Sequence, residues 1–581
     1  MSEFHFSPRP NRAGEIEWMA WGSKAFERAR AEDKPILLSI SAVWCHWCHV
    51  MDETSYSDEG VIDAVNRRFV PVRVDNDTRP DINARYNMGG WPTTAFLAPD
   101  GTTLTGATYL PPPQMRRALD EVADFFAQHK GEIAQHVAGR QAHRASAAED
   151  ATGELTDAPI AELIDHLDRA YDEEYGGFGD APKFPQPDVH EFLLAQWRLS
   201  GNQRLYEMPA KTMLAMARGG MYDHVEGGFF RYSTVRDWSV PHFEKMAEDH
   251  AGLLRVLATL ALFSGNEDFR ATLVSAMHYV RRVLRDPVTG FFAGSQDADE
   301  AYYELPLEER RQLAAPYVDR RSYTNWTCAL AGAQCMVARA LDDDALLDEA
   351  LQTLDGVAER LTGAGGVLYH LLAPGEEPAV PGLLVDHVAY FRALLDAHEI
   401  GGDARFLERA VATAETTIAN FGAPDGTFYD RREADDPFGR LAIPDRPIVD
   451  NGILAESLLR LSALTGEAGY RERAERLLRS YAASAPVAGS FAATYARALQ
   501  RCLAPTIEVR IVGNAAASDA FREAALRLPS PFTAIRTLSH SDAKGFGMPP
   551  DDAASVCVAG TCGAPVHEAA GLRAAYDALI G

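Results

Sequence analysis

The chain has 581 residues, 46% hydrophobic and 24% charged, with a formal net charge of −27. That length needs at least two domains, and the acidic balance argues against nucleic acid or anionic membranes as partners. No segment approaches the roughly eighteen unbroken apolar residues of a membrane span; the N-terminus has no basic stretch leading into an apolar run, and seven cysteines in so long a chain make no disulfide framework, so a reducing, cytoplasmic location is expected.

In chain order, Pro35 to Ser41 reads as a buried strand and Val43-Trp44-Cys45-His46-Trp47-Cys48-His49 as its junction with a helix. Phe69 to Asp75 is a second strand, Thr93 to Ala98 a third, a short strand ends near Tyr109, and a helix follows from Pro113 to His129. This β-α-β-then-hairpin order predicts an α/β thioredoxin-like domain over residues 1–137. A thiolate at a helix N-terminus is stabilised by free N–H groups, so Cys45 is the expected nucleophile, with Cys48 placed to attack a mixed disulfide. Pro92, in Gly89-Gly90-Trp91-Pro92-Thr93, stands where that fold puts a cis-proline facing the dithiol, and Trp91 and Pro92 are taken as substrate-binding. A scaffold with idle cysteines and a zinc site using His46 and His49 are the alternatives, though no second pair completes a tetrahedral set. A protonated His46 would stabilise the thiolate further, whereas Ser39 occupies the place of a buried acid that would help Cys48.

Residues 138–157 are small and polar and read as a linker; from 158 to 503 amphipathic helices dominate. Glycine-aromatic turns recur at Gly176-Gly177-Phe178, Gly227-Gly228-Phe229, Gly290-Phe291, Gly365-Gly366-Val367, Gly426-Thr427-Phe428 and, more weakly, Gly489-Ser490-Phe491, with two helical patterns between successive turns. Six hairpins that cannot bury their own apolar faces are expected to close into an (α/α)6 toroid, with an open solenoid as the alternative. Polar residues gather beside these turns: Lys183, Asp223, His224, Arg231, His242, Glu244, Asp297, Asp299, Asp386, His387 and Asp450, with Phe229 as an aromatic wall. A polar pocket with aromatic sides suits a sugar. His224, His242 and His387 could move a proton beside a carbonyl, as an epimerase or isomerase would, while Asp297, Asp299 and Glu244 could serve glycoside hydrolysis. Against this, Asp297 or Asp299 could cap a helix, His224 bond a turn carbonyl, and Glu244 pair with a neighbouring cation.

Residues 504–581 read as a small α/β segment, with strands at 505–513 and 554–558 around a helix at 516–528. Cys557 and Cys562 could pair, bind metal or exchange with Cys45, but two separate buried thiols are the expectation; Cys328 and Cys335, on an apolar helix, read as core residues.

The runs WCHWCHVM, VDNDTRPDIN, GGWPT, GGFGDAPKFP, GGMYDHVEGGFFRYS, VPHFEKM and SQDAD together resemble the thioredoxin-like family of unknown function that includes the spermatogenesis-associated thioredoxin-like proteins. The resemblance spans nearly the whole chain. It implies a thioredoxin-like domain fused to a six-hairpin domain similar to N-acylglucosamine 2-epimerases and glycoside hydrolases, and leaves the reaction open. Two departures stand out: the loop before Gly89 lacks the family's glycine-rich insertion, and Glu300-Ala301-Tyr302-Tyr303 keeps only part of the run that follows SQDAD. Two functions are therefore expected to compete. One is a sugar-processing barrel covered or redox-regulated by the dithiol domain; the other is an oxidoreductase acting on a protein or small thiol through Cys45 and Cys48. Neither calls for a cofactor or metal.

Overall fold

The computed structural model describes residues 4–145, 153–432 and 438–580, so part of the expected 138–157 linker lies outside the described residues. The first sheet has four strands, β1 (Ile36–Ser41), β2 (Val70–Asp75), β3 (Thr93–Leu97) and β4 (Thr103–Ala107), in the order β2-β1-β3-β4. β1 runs parallel to β2 and antiparallel to β3, with Ile36 opposite both Val70 and Leu97. All six residues of β1 are buried, because helices cover both faces. Leu37 points into a core with Met51, Phe69, Phe96 and Met115, while Ile36, Leu38 and Ile40 point into one with Phe26, Val72 and Tyr86. The closing helix begins at Pro112 and continues to Ala145, past the expected end at His129, where the backbone turns non-helical (φ −118°, ψ 20°).

The next region is a closed double ring of helices. Helices 187–200, 247–264, 324–341, 384–401, 448–465 and 493–503 form the inner ring, each packed on the next and the last packed back on the first. Helices 158–170, 204–218, 267–279, 344–360, 404–421 and 468–481 lie outside them. Sequence separates the rings. The outer helix Asp344–Arg360 buries one stripe, Leu346, Ala350, Thr353, Leu354 and Val357, whereas the inner helix Thr324–Leu341 is buried on nearly every side. Because each hairpin repeats the same direction, all six inner helices present their N-termini at one mouth.

Five glycine-aromatic turns link an outer helix to the next inner one through short bridges, Tyr171 with Phe178, Tyr222 with Phe229, Arg285 with Phe292, Thr362 with Leu368 and Gly422 with Phe428. The weak sixth differs: Gly489 lies in a 3-10 stretch, 485–492, and Phe491 is exposed. The C-terminal segment is a sheet of Thr533–Thr537, Ile507–Val512, Ala553–Val558 and Thr561–Cys562, in that spatial order. The strand 533–537 was not read from the sequence, since TAIRT is short and alternates too little. Cys557 and Cys562 face each other across adjacent strands and are disulfide-bonded, with Cys562 exposed, which corrects the expectation of two separate buried thiols. Cys328 and Cys335 are fully buried.

Candidate functional site

Cys45 caps the helix His46–Glu53, and its sulfur accepts the Cys48 N–H at 3.2 Å. The two cysteines are joined as a disulfide, and the Trp91–Pro92 bond is cis. Cys45 is only 4% exposed and Cys48 2%. They share an apolar cluster with Trp44 and Met246, against which Trp91 and Trp326 pack. Met246 and Trp326 sit at the mouth of the barrel, so the dithiol faces inward.

Beside the dithiol, the His242 Nδ1 lies 2.6 Å from Glu244 Oε2, and the His242 ring is 6.4 Å from that of His46. Burial lowers the His242 pKa, but the hydrogen bond and charge of Glu244 outweigh it and leave it raised. His49 Nδ1 is 3.8 Å from Asp297 Oδ2. Burial pushes His49 down to about 4 and Asp297 up to about 8, so at neutral pH this is a contact between two uncharged groups.

A cavity of about 390 Å³ opens between the dithiol unit and the barrel mouth. Trp44, Trp91, Trp326 and Phe184 form its aromatic walls; Asp77, Glu248, Asp249 and Asp450 supply carboxyl groups. The Arg231 guanidinium lies 4.1 Å from the Trp44 ring and 5.1 Å from that of Trp91. Asp249 and Asp450 stand in the first turns of inner helices, where the helix dipole favours a carboxylate. Burial and neighbouring acids win: Asp249 is pushed up to about 7, with Glu248 adding to burial, and Asp450 to about 7, with Asp430 adding. Asp77, buried beside Asp75, is raised to about 8 and accepts the Trp44 indole N–H at 2.7 Å. Asp249 Oδ2 and Asn325 Oδ1 are buried without a hydrogen-bond partner among the described residues.

The roof is held by the segment 74–85. Arg85 makes a two-pronged pair with Asp430 (2.6 and 3.0 Å), Arg431 reaches Asp81 at 3.1 Å, and Arg321 reaches Asp75 and Thr78, each at 3.0 Å. His370 bonds the Asp77 carbonyl at 2.7 Å through Nε2 and Asp386 at 2.9 Å through Nδ1. The His370 pKa is raised, the Asp386 charge and hydrogen bond outweighing the opposing effect of burial.

Residues 9–143 match the family described as Thioredox_DsbH, "Protein of unknown function, DUF255". That N-terminal part of the chain is thus similar to this thioredoxin-like family. The chain is 27% identical to the human spermatogenesis-associated protein 20 over 80% of this chain and 76% of that protein. To the rat protein of the same name it is 36% identical over 49% of this chain and 39% of the relative. Among solved structures, cellobiose 2-epimerase from Spirochaeta thermophila aligns with 60% of this chain and 96% of its own, at 15% identity and a TM-score of 0.48. The helix packing above, not that score, defines the barrel.

In this chain the turn residues mostly serve the turns. Asp223 is buried between Lys245 (2.7 Å) and Arg310 (2.8 Å), and its other oxygen accepts the Val225 N–H. Lys183, wholly buried, repeats the pattern one hairpin earlier with Asp172 at 2.5 Å and the Gly176 carbonyl at 2.8 Å. Phe229 is core, and its N–H donates to His250 Nε2 at 2.9 Å. His387 does the same for the Leu368 N–H at 3.1 Å, and Asn451 for Phe428 at 2.8 Å. His250, His387 and Asn451 are each the fourth residue of an inner helix. His224 is exposed with Nε2 3.1 Å from the Gly219 carbonyl, and Asp299 caps the helix Glu300–Tyr303. Asp386 is buried beneath His370 and also accepts the Asn325 N–H. Of the sequence candidates, Trp91, Arg231 and Asp450 line the cavity, and Cys45, Cys48, Pro92, His242, Glu244 and Asp297 lie by the dithiol. The sequence reading passed over Asp77, Glu248, Asp249, Trp326, Arg321 and His370. For Glu248 and Asp249 a signal existed, two acids opening an otherwise apolar helix.

Among the described residues no group of three or more His, Cys, Asp or Glu is placed to hold a metal ion, and no helix is long and apolar enough to cross a membrane.

Proposed function

We propose that the protein is a carbohydrate-processing enzyme whose reaction centre is the cavity under the dithiol unit, with carboxyl groups as its acid and base. The observation that carries this reading is the pair Asp249 and Asp450, both poised near pKa 7 in a tryptophan-walled space. Flat indole faces match the apolar faces of a sugar ring, and unpartnered oxygens at Asp249 and Asn325 match its hydroxyls. A carboxyl near pKa 7 can give or take a proton at neutral pH, which suits proton transfer beside a carbonyl as well as protonation of a glycosidic oxygen. His224 and His387, bonded to backbone elsewhere, have no part in it.

Proton NMR of the protein with aldoses, N-acetylhexosamines and disaccharides in deuterated water tests this. Loss of a C2 proton signal would indicate epimerase or isomerase chemistry, and new reducing ends would indicate hydrolysis. Unchanged spectra for every sugar, with the dithiol reduced and oxidised, would refute it.

The second reading, a dithiol-disulfide oxidoreductase, is favoured by Cys45 at a helix N-cap beside cis-Pro92. Its substrate would be a small thiol, because the cysteines are covered. Cys45→Ala abolishes this activity and leaves sugar turnover in place.

A further inference from the structure

A second polar system lies along the barrel axis, further down the inner helices and away from the dithiol. Arg255 pairs with Asp396, Arg460 with Asp396 and Glu399, and Arg497 with Glu191 and Glu456. Arg392 shares Glu191 at 2.5 Å, and Arg501 comes within 3.4 Å of Glu456. Arg198 has no carboxylate partner among the described residues; it donates to the carbonyls of Leu528, Pro529 and Ser530 at 2.8 to 3.1 Å. Six guanidinium groups thus face four paired carboxylates, with Asp188 a fifth acid in their field. Arginine does not give up its proton, and uncompensated charge away from water is costly.

All of these side chains except Arg392 and Asp188 line a cavity of about 190 Å³, bordered also by Ser530, Phe532 and Thr533 of the C-terminal segment. Several donors are poorly matched: Arg460 Nε lacks a hydrogen-bond partner, Arg501 Nε has only its long contact with Glu456, and Arg255 Nη1 meets only the Met336 thioether, at 3.0 Å. Arg255 and Arg460 are each 5% exposed, so water does not freely replace the missing acceptors. Arg198 and Arg501 stand in the last turns of their helices, whose partial negative charge meets part of the excess but offers the cavity no acceptor.

We propose that this cavity binds a small oxyanion of the phosphate class, held by Arg255, Arg460, Arg501 and Arg198. The space is below the roughly 300–1,000 Å³ of pockets that take organic ligands, which favours the free ion over a phosphorylated metabolite. Planar guanidinium forks are suited to its oxygens. The site is independent of the sugar reading at the other end of the barrel.

Equilibrium dialysis of the full chain against radiolabelled inorganic phosphate, at ionic strength held constant with chloride, tests it. One phosphate per chain is expected, competed by sulfate and not by chloride. Arg501→Gln is expected to weaken binding about tenfold, equivalent to about 1.4 kcal/mol, while Asp249→Asn at the other cavity leaves it unchanged. No saturable binding by the wild-type chain would overturn the proposal, as would unchanged affinity in folded Arg501→Gln and Arg198→Gln. Displacement by glucose 6-phosphate as readily as by sulfate would overturn the assignment to a free ion. Should either arginine variant fail to fold, the wild-type measurement decides alone.

Discussion

His387 separates a catalytic from a supporting histidine. Its Nε2 accepts the Leu368 N–H, the role that Asn451 Oδ1 plays for Phe428 one hairpin later. His387→Phe keeps an aromatic of similar bulk and removes the acceptor, leaving a buried N–H unpaired at a cost of about 1–3 kcal/mol. His387→Asn restores an acceptor and is expected to recover most of that loss. A pH effect accompanies it. Burial holds the folded His387 at about 4, below the ordinary 6.5. A depressed histidine leaves stability intact above 6.5 and erodes it as pH falls toward 4, because the unfolded chain binds the proton first. Between pH 7 and pH 5 the wild type therefore loses about 2 kcal/mol through this residue, and the asparagine variant loses none of it. Urea unfolding followed by circular dichroism at both pH values measures each term. If His387→Asn proves as unstable as His387→Phe, the backbone-acceptor role is wrong. If it is stable yet loses sugar turnover, His387 touches substrate.

Asp297→Asn should stabilise the protein increasingly as pH rises from 5 to 8, because a carboxyl raised to about 8 costs stability as pH climbs above its unfolded value; a pH-independent difference in urea midpoint would contradict this. Asp223→Asn strands Lys245 and Arg310 and should cost about 3–5 kcal/mol, whereas Lys245→Met, which leaves Asp223 paired with Arg310, should cost clearly less by the same unfolding assay; equal losses would refute the arrangement. Asp450→Asn should lower sugar turnover at least about a hundredfold, the scale of lost acid-base catalysis, and remove one limb of the pH–rate profile near 7; an unaltered profile would exclude the residue. His370→Gln should loosen the roof and speed alkylation of reduced Cys45 about tenfold, and an unchanged rate would show that the contact with the Asp77 carbonyl does not hold it.

The dithiol unit was readable from sequence because its signals are local: a buried run at Ile36–Ser41, a Cys-x-x-Cys at the helix start and a proline before β3. The toroid was readable because its glycine-aromatic turns recur. The site was readable only in part, at Trp91, Arg231 and Asp450, for a physical reason. Asp172, Asp223 and Asp286 follow one pattern, each accepting the backbone N–H groups of the residues two and three positions further on. An acid beside a glycine turn thus looks catalytic in sequence while it is consumed by the turn. What fills the cavity comes instead from the first turns of the inner helices and from Trp44 and Asp77 of another domain. That juxtaposition depends on how two units dock, which no local pattern encodes.

Docking also bears on which chemistry the dithiol can perform. A protein disulfide must reach Cys45 in line, yet Met246 and Trp326 cover it. Exposing it means breaking at least the ties of Arg85 to Asp430, Arg431 to Asp81, Arg321 to Asp75 and His370 to the Asp77 carbonyl. At a modest ~1 kcal/mol for each of these partly buried bonds the open form lies about 4 kcal/mol above the closed one. Its population is then about a thousandth, and thiol exchange with a protein partner slows by the same factor. A ligand entering the cavity along the tryptophan walls pays no such penalty. The segment VDNDTRPDIN, which also lends Asp77 to the cavity, keeps the dithiol turned toward the barrel and so favours the proposed cavity chemistry over exchange with a protein partner.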